Sequence, residues 1–408
     1  MSLLMTREQL EICDSKASRI VVEANAGAGK TTLAAMKIAS LIAKGANPSK
    51  IMALSYTEAG VQAFYEAFSR VGIAKNIVNL LRVGTFEEFC STRLARLEGL
   101  TIDQIQRPEQ VRPYVVAAIS NAREWVQEKF GDIFNFDGGG EFAVEGLLKD
   151  FSNIKGTLEI ERAPEGFTVS PYWSNELGRD FTTLAIFNAY ERLRCHSVDL
   201  NGETTPFRYI GDATYDLARI LKDDDPIYSK VSNPLKLGLE AVILDEMHDT
   251  NWAMFTVLKE LLAINEGVIF LGVGDRDQVV HLSNGADSYF MGEGFGLYIS
   301  KPKFMPLTET YRFDEKLAKP LGRLAGKRYQ ASSSHSSQLR IRNAETARDV
   351  YEIIAEAMTT RIGMAPRSLN SEIAVLFRYP HSATDLEHRL RERAIPYRAV
   401  GFTTYLER

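Results

Sequence analysis

The sequence predicts an α/β fold built on a parallel sheet. Short apolar runs recur at Ile20-Val21-Val22, Ile51-Met52-Ala53-Leu54, Ala241-Val242-Ile243-Leu244 and Val268-Ile269-Phe270-Leu271. They have the length and branched content of strands buried on both faces. Helix-like segments follow the early runs, and polar clusters close the later ones, which is the alternation of a sheet with crossover helices.

Taken in order, Thr6 is a plausible N-cap for a helix through Gln9, and the run Ile20 to Val22 is the first strand. Lys30 to Ala43 reads as a helix stopped by Gly45, and Ile51 to Ser55 as a buried strand before a helix through Phe68. Val83 to Phe86 makes a strand and turn, with a helix from Glu87 to Leu97. Pro108 to Phe130 places Val111, Val115, Ile119, Ala122 and Trp125 at helical spacing, opening a mostly helical insertion that contains the Gly138-Gly139-Gly140 break. The sheet pattern returns at Ala241 and Val268; further on, Thr346 to Met358 reads as a helix, Ile373 to Phe377 as a strand and Thr384 to Arg393 as a helix. Ser332 to Ser337 is a loop by composition, and nothing marks His335 as a ligand.

The chain has 408 residues, 48 basic against 53 acidic for a net charge of −5, and 45% hydrophobic content, as in an ordinary multi-domain globular protein. No run approaches the roughly 18 apolar residues of a membrane span, and no signal-peptide pattern opens the chain. Cys13, Cys90 and Cys195 are scattered, so the expectation is a reducing, cytoplasmic setting without disulfides or zinc. The charge balance does not advertise nucleic-acid binding, although a local basic groove suffices for it.

Chemistry concentrates at Ala24-Asn25-Ala26-Gly27-Ala28-Gly29-Lys30-Thr31-Thr32. Strand, glycine loop, Lys-Thr and helix form the layout of a phosphate-binding loop, in which backbone N–H groups close around phosphate oxygens. Ala26, Gly27, Ala28, Gly29 and Thr32 would line that loop. Lys30 would supply charge at the β- and γ-phosphates, and the Thr31 hydroxyl would hold Mg²⁺. Ala24 stands where the general pattern has Gly. The strand ending in Asp245-Glu246 would supply an aspartate to the metal and a glutamate to the attacking water. Gly272 to Gln278 is a second polar cluster on the same carboxyl-terminal rim, where Gln278 is placed to report on the γ-phosphate. Gln9 lies upstream of the loop, where an adenine-reading amide could sit, with a surface glutamine as the default reading, and Tyr311-Arg312 are either a stacking ring beside a cation or an ordinary surface pair.

The ordered set resembles the UvrD/Rep-like branch of superfamily 1 helicases, over about 6–90 and 205–408. ANAGAGKTT is similar to that family's phosphate loop, which also begins with Ala. LSYTEAGVQAF resembles motif Ia, and VGTFEEFC the DNA-contacting motif after it. VILDEMHDTN resembles motif II, GVGDRDQVV motif III and ETYRF motif IV, and the stretch from Ile373 onward resembles the first half of a second RecA-like domain.

The resemblance implies a RecA-like ATP-binding domain at 1–89 and 206–306, a helical accessory insertion at 90–205 and a partial second RecA-like domain at 307–408. It implies that Gln9 and Tyr311 embrace adenine and Arg312 contacts the γ-phosphate. Lys30, Glu246, Gln278 and Arg312 would be catalytic, and Thr31 and Asp245 would hold Mg²⁺ of bound ATP. Tyr56, Thr57, Thr85 and Phe86 would lie along single-stranded DNA or a single/double-strand junction. The implied activity is ATP-dependent translocation on single-stranded DNA, usually 3′ to 5′ in the family.

Three departures qualify that expectation. His248 replaces the usual Gln of motif II, a rewired contact rather than a metal site. Ser283 stands where the family has a base-stacking Trp. No segment resembles motifs V and VI, so the reading is an N-terminal piece of a longer helicase that binds ATP–Mg²⁺ but hydrolyses and unwinds weakly. The alternatives are a non-unwinding, nucleotide-dependent DNA- or partner-binding module and the helicase part of a RecB-like helicase-nuclease.

Overall fold

The computed structural model describes residues 5–99, 102–136, 141–196, 206–222, 233–332, 336–364, 373–377 and 383–398. Calls on Gly138 to Gly140, on His335 and on residues after 398 lie outside them. The chain divides into two compact units, Met1–Ser337 and Gln338–Arg408.

The first unit is organised by a parallel sheet. Its strands are β1 (Arg19–Ala24), β2 (Ile51–Ser55), β3 (Arg82–Thr85), β4 (Ala241–Leu244), β5 (Ile269–Gly274) and β6 (Lys303–Leu307), in the order β3-β2-β4-β5-β1-β6. Every adjacent pair runs parallel, with Ile20 opposite Leu271 and Lys303, and Ile51 opposite Ala241. Successive side chains point to opposite faces, so Val21, Met52, Leu54, Val242 and Phe270 join one core while Ile20, Val22, Ile51, Ile243 and Leu271 join another. Burial on both faces explains why these runs are apolar without alternation. β6 was not apparent in the sequence, because Pro306 interrupts it; as an edge strand it tolerates the missing donor.

Helices α1 (Arg7–Asp14), α2 (Lys30–Ala43) and α3 (Glu58–Val71) cover one face. α1 opens with a full capping box between Thr6 and Gln9. Helix α4 (Phe86–Glu98) leaves β3, and the helical region beyond it comprises α5 (Pro108–Phe130), α6 (Glu141–Thr157) and α7 (Phe181–His196), all within residues 90–205, and α8 (Asp212–Lys222), which lies past the bounds expected for the insertion. A buried ionic cluster ties it together. Lys155 meets Glu191 at 2.7 Å and Asp212 at 2.5 Å, while Asp216 receives Arg194 at 2.8 Å and Arg208 at 2.8 Å. Helices α9 (Trp252–Ile264) and α10 (Glu315–Ala325) follow β4 and β6. No helix among the described residues is long and apolar enough to cross a membrane.

The second unit contains α11 (Ala347–Met364) and α12 (Thr384–Glu392), which pack around Ala355, Met358, Leu386 and Leu390. The strand expected at Ile373 to Phe377 is not formed: these residues have no ladder partner among the described residues, and only Val375 and Phe377 reach the small core. Apolar content alone does not make a strand where backbone pairing is missing.

Candidate nucleotide-binding site

Strand β1 delivers the loop at Asn25 to Gly29 to the carboxyl-terminal rim of the sheet, between the ends of β5 and β6. Gly27 and Gly29 take left-handed φ values of 74° and 78°, which glycine adopts without steric cost. The loop is strapped from behind. Asn25 N–H donates to Leu307 C=O at 3.0 Å, Tyr311 N–H to Gly27 C=O at 3.0 Å, and Thr310 Oγ1 to Ala26 C=O at 2.8 Å. Asn25 Nδ2 holds Thr308 C=O at 3.0 Å and Arg328 C=O at 2.7 Å. Any Cβ at Gly27 would collide with Arg312 Cβ. Ala28 is buried beneath the loop and Thr32 is half-buried in the first turn of α2.

Strand β4 brings the carboxylates to this loop. Thr31 Oγ1 donates to Asp245 Oδ2 at 2.6 Å, and Lys30 Nζ stands 3.2 Å from Glu246 Oε2. Burial, and then the charge of Glu246, push the Asp245 carboxyl up to about 6. Glu246 is one of few non-glycine residues at positive φ, at 52°, and its buried Oε2 closes no hydrogen bond of good geometry. A non-glycine residue held at positive φ carries backbone strain of the kind found at functional sites. Two hard oxygens 2.6 Å apart, with surplus acid behind them, suit a magnesium ion.

Strand β5 ends in a second cluster. Asp275 is buried and accepts Gln278 Nε2 at 2.5 Å and Lys327 Nζ at 2.7 Å. Lys327 also reaches Glu23 at 2.6 Å and Asp277 at 2.8 Å. Burial disfavours its charge, but these three carboxylates outweigh that and raise the ammonium above its ordinary range. His248 is buried, and its Nδ1 accepts the Asp275 N–H at 3.1 Å. Burial lowers its pKa despite neighbouring acids, so the ring is neutral with the proton on Nε2, facing Asp249 Oδ2 at 3.6 Å. His248 thus contacts the backbone just beyond the end of β5.

Gln9 and Tyr311 meet. Gln9 Oε1 closes the capping box on Thr6 N–H at 3.0 Å, and its side chain hydrogen-bonds the Tyr311 hydroxyl. Glu8 fixes α1 to the rim by accepting Thr308 N–H at 2.7 Å and Oγ1 at 2.8 Å. Tyr311 is 45% exposed, Arg312 is exposed, and Arg312 makes no ion pair among the described residues. The residues that the sequence did not single out are Lys327 and Tyr329, whose hydroxyl accepts the Ala26 N–H at 3.3 Å. A lone Gly-Lys-Arg-Tyr stretch carries no local signal for either contact.

Residues 5–124 match the UvrD/REP helicase N-terminal domain. The chain is similar in sequence to UvrD-type helicases. It is 23% identical over 420 residues to an ATP-dependent DNA helicase UvrD1 of Mycobacterium tuberculosis (strain ATCC 25618 / H37Rv), covering 98% of this chain and 50% of the relative. It is 21% identical over 414 residues to an ATP-dependent DNA helicase PcrA of Leuconostoc citreum, covering 99% of this chain and 51% of that protein. A probable DNA helicase II homolog of Mycoplasma capricolum is 25% identical over 292 residues, 69% of this chain and 36% of its own. The chain thus spans about half the length of the curated UvrD1 and PcrA relatives.

At the carboxyl-terminal ends of β2 and β3, the residues expected along DNA fall into two groups. Thr57 and Thr85 are the N-caps of α3 and α4, their hydroxyls accepting Gly60 N–H and Glu88 N–H at 3.1 Å each. Tyr56 and Phe86 line a cleft of about 380 Å³ under the insertion, together with Lys155, Tyr209 and Tyr215. Phe86 is only 2% exposed. Tyr56 is already engaged: His281 lies 4.4 Å from its ring centroid, and its hydroxyl accepts Asn284 Nδ2 at 2.8 Å. His281 and Asn284 flank Ser283, so the segment that lacks the expected Trp places its own ring on Tyr56. A ring two residues before Ser283 was the available signal.

Proposed function

We propose that this chain is the ATP-binding part of a UvrD-type DNA helicase or translocase that moves on single-stranded DNA, 3′ to 5′, and works in the cytoplasm. The observation that carries the reading is the meeting of Lys30 and Thr31 with Glu246 and Asp245 at 3.2 and 2.6 Å on one rim. Thr31 and Asp245 would hold Mg²⁺, which would bridge phosphate oxygens and neutralise their charge. Lys30 would release Glu246 to the attacking water when its charge turns to the γ-phosphate. Gln278, held by Asp275, would couple that event to the DNA side, and Arg312 would meet the γ-phosphate. Gln9 and Tyr311 would flank adenine.

For DNA, the support is the pair of capped helix N-termini at Thr57 and Thr85, at the ends of adjacent strands β2 and β3. Backbone N–H groups and helix dipoles there favour phosphates. Among the described residues Lys30 and Arg312 would be the cations that meet the γ-phosphate, and hydrolysis by these residues is expected to be slow and unwinding minimal. The contact of His281 with the Tyr56 ring favours a second reading, a nucleotide-dependent DNA- or partner-binding module that does not unwind, because a ring expected along DNA is already engaged.

The test is phosphate release from ATP with and without a single-stranded oligonucleotide, for the parent and for Glu246→Gln. DNA stimulation that disappears in the variant supports the translocase reading. DNA binding tightened by ATP with no release in either protein would favour the tethering module.

A further inference from the structure

A second cleft, of about 520 Å³, opens beside the edge strand β3 and is lined by β3, α4 and the segment around Gln104 and Gln106. It lies apart from the loop residues and carboxylates of the nucleotide site, none of which lines it.

At its wall is Arg93, 8% exposed. Among the described residues its guanidinium has no carboxylate partner, and its buried Nε has no hydrogen-bond acceptor. Its one recorded contact of charge is the face of Phe89, 5.8 Å away. Buried arginines are ordinarily paired, because the fork of donors loses water that something must replace. Here the surroundings add more positive charge. Burial lowers the pKa of Arg93, and the charges of Arg96 and Arg82 lower it further. The neighbouring Cys90 thiol works the other way, but burial keeps it protonated.

Two carboxylates do line the cleft, and both are committed elsewhere. Glu87 accepts Ala213 N–H at 2.9 Å and Thr214 N–H at 3.0 Å, capping α8. Glu88 Oε2 accepts Thr85 N–H at 3.0 Å in the α4 capping box. Neutral donors complete the wall: the hydroxyls of Ser91 and Thr92 and the amides of Gln104 and Gln106.

We propose that this cleft is a binding site for a small phosphate-bearing molecule, its phosphate forked by Arg93 beside the positive charge of Arg82 on the same wall. A planar guanidinium matches phosphate oxygens bidentately, which a buried arginine without a carboxylate partner is free to do. The cleft is several times the volume of the anion, so an organic body fits beside Gln104 and Gln106. The site is independent of the nucleotide-binding reading.

The test uses Lys30→Ala protein, in which phosphate binding at the loop is weakened, and inorganic phosphate as the probe in isothermal titration at constant ionic strength. Binding is expected in that background, and Arg93→Met should weaken it by about tenfold or more. Gln106→Glu, an exposed change that places negative charge at the mouth without touching the core, should weaken it several-fold. Unchanged affinity in both variants, or no binding to Lys30→Ala protein, would overturn the proposal. Competition by ribose 5-phosphate supports a small-molecule ligand, whereas competition only by an oligothymidylate without terminal phosphate would overturn that assignment in favour of a DNA backbone contact.

Discussion

Thr31 Oγ1 lies 2.6 Å from Asp245 Oδ2, joining the first turn of α2 to the end of β4. The two residues are more than two hundred positions apart in sequence, so the contact is a product of the fold. If this pair holds Mg²⁺, Asp245→Asn keeps a hydrogen-bond acceptor for Thr31 but loses the charge. ATP affinity measured in Mg²⁺ should then fall to that measured in EDTA, with the thermal midpoint preserved. An Asp245→Asn protein that still gains affinity from Mg²⁺ would remove Asp245 from the metal site.

Gly27→Ala should disable nucleotide binding through backbone and sterics together. Its φ of 74° disfavours a side chain, and the new methyl meets Arg312. A loss of at least about tenfold in ATP affinity is expected, from strain of order 1–3 kcal/mol. Gly45→Ala is the control: φ is 98°, but a Cβ there meets nothing within 4 Å. It should cost about 1 kcal/mol of stability and leave ATP affinity alone.

Lys327→Met should separate binding from turnover. The ammonium joins Glu23, Asp275 and Asp277, and Asp275 in turn holds Gln278. Without it the acids repel and Gln278 loses its anchor. DNA-stimulated kcat is expected to fall about tenfold while ATP affinity stays within about threefold, since small displacements of a positioned group are costly to rate. An unchanged kcat would leave Lys327 as structural only.

Asp216→Asn probes the insertion. Burial works against the Asp216 charge, yet Arg194 and then Arg208 overcome it and hold the carboxyl well below the usual range. A depressed folded-state pKa gives stability that is present above the unfolded value near 4 and lost as pH falls below it. The variant should lose roughly 3–5 kcal/mol at pH 7, because two buried guanidinium groups lose their shared anion. Its midpoint should also fall less steeply than the parent's between about pH 4 and pH 2. Parallel acid limbs in urea or thermal unfolding would contradict this.

Much of the site was legible because it is local in sequence. The loop, its Lys-Thr, and the Asp245-Glu246 pair each sit at the end of an apolar run, and buried parallel strands are readable as such. The contacts that join them were not legible. Lys327 finds Glu23 some three hundred residues away and Asp275 and Asp277 some fifty, and Tyr329 reaches Ala26 across the sheet edge. β6 was hidden by Pro306, and Ile373 to Phe377 looked like a strand because apolar composition says nothing of a pairing partner. The ionic cluster of the insertion was invisible for the same reason: Lys155 and Asp212 are partners only after α6 and α8 pack. Thr57 and Thr85 were correctly located at strand ends, but their hydroxyls belong to helix caps, a role equally consistent with their residue type.

The central claim is that Lys30, Thr31, Asp245 and Glu246 form a site for ATP with Mg²⁺. Calorimetric titration of ATP into the 408-residue chain, in Mg²⁺ and in EDTA, tests it directly. The account predicts saturable one-site binding that weakens markedly in EDTA and is lost in Lys30→Ala. ATP binding that is absent, or indifferent both to Mg²⁺ and to the loss of Lys30, would contradict it.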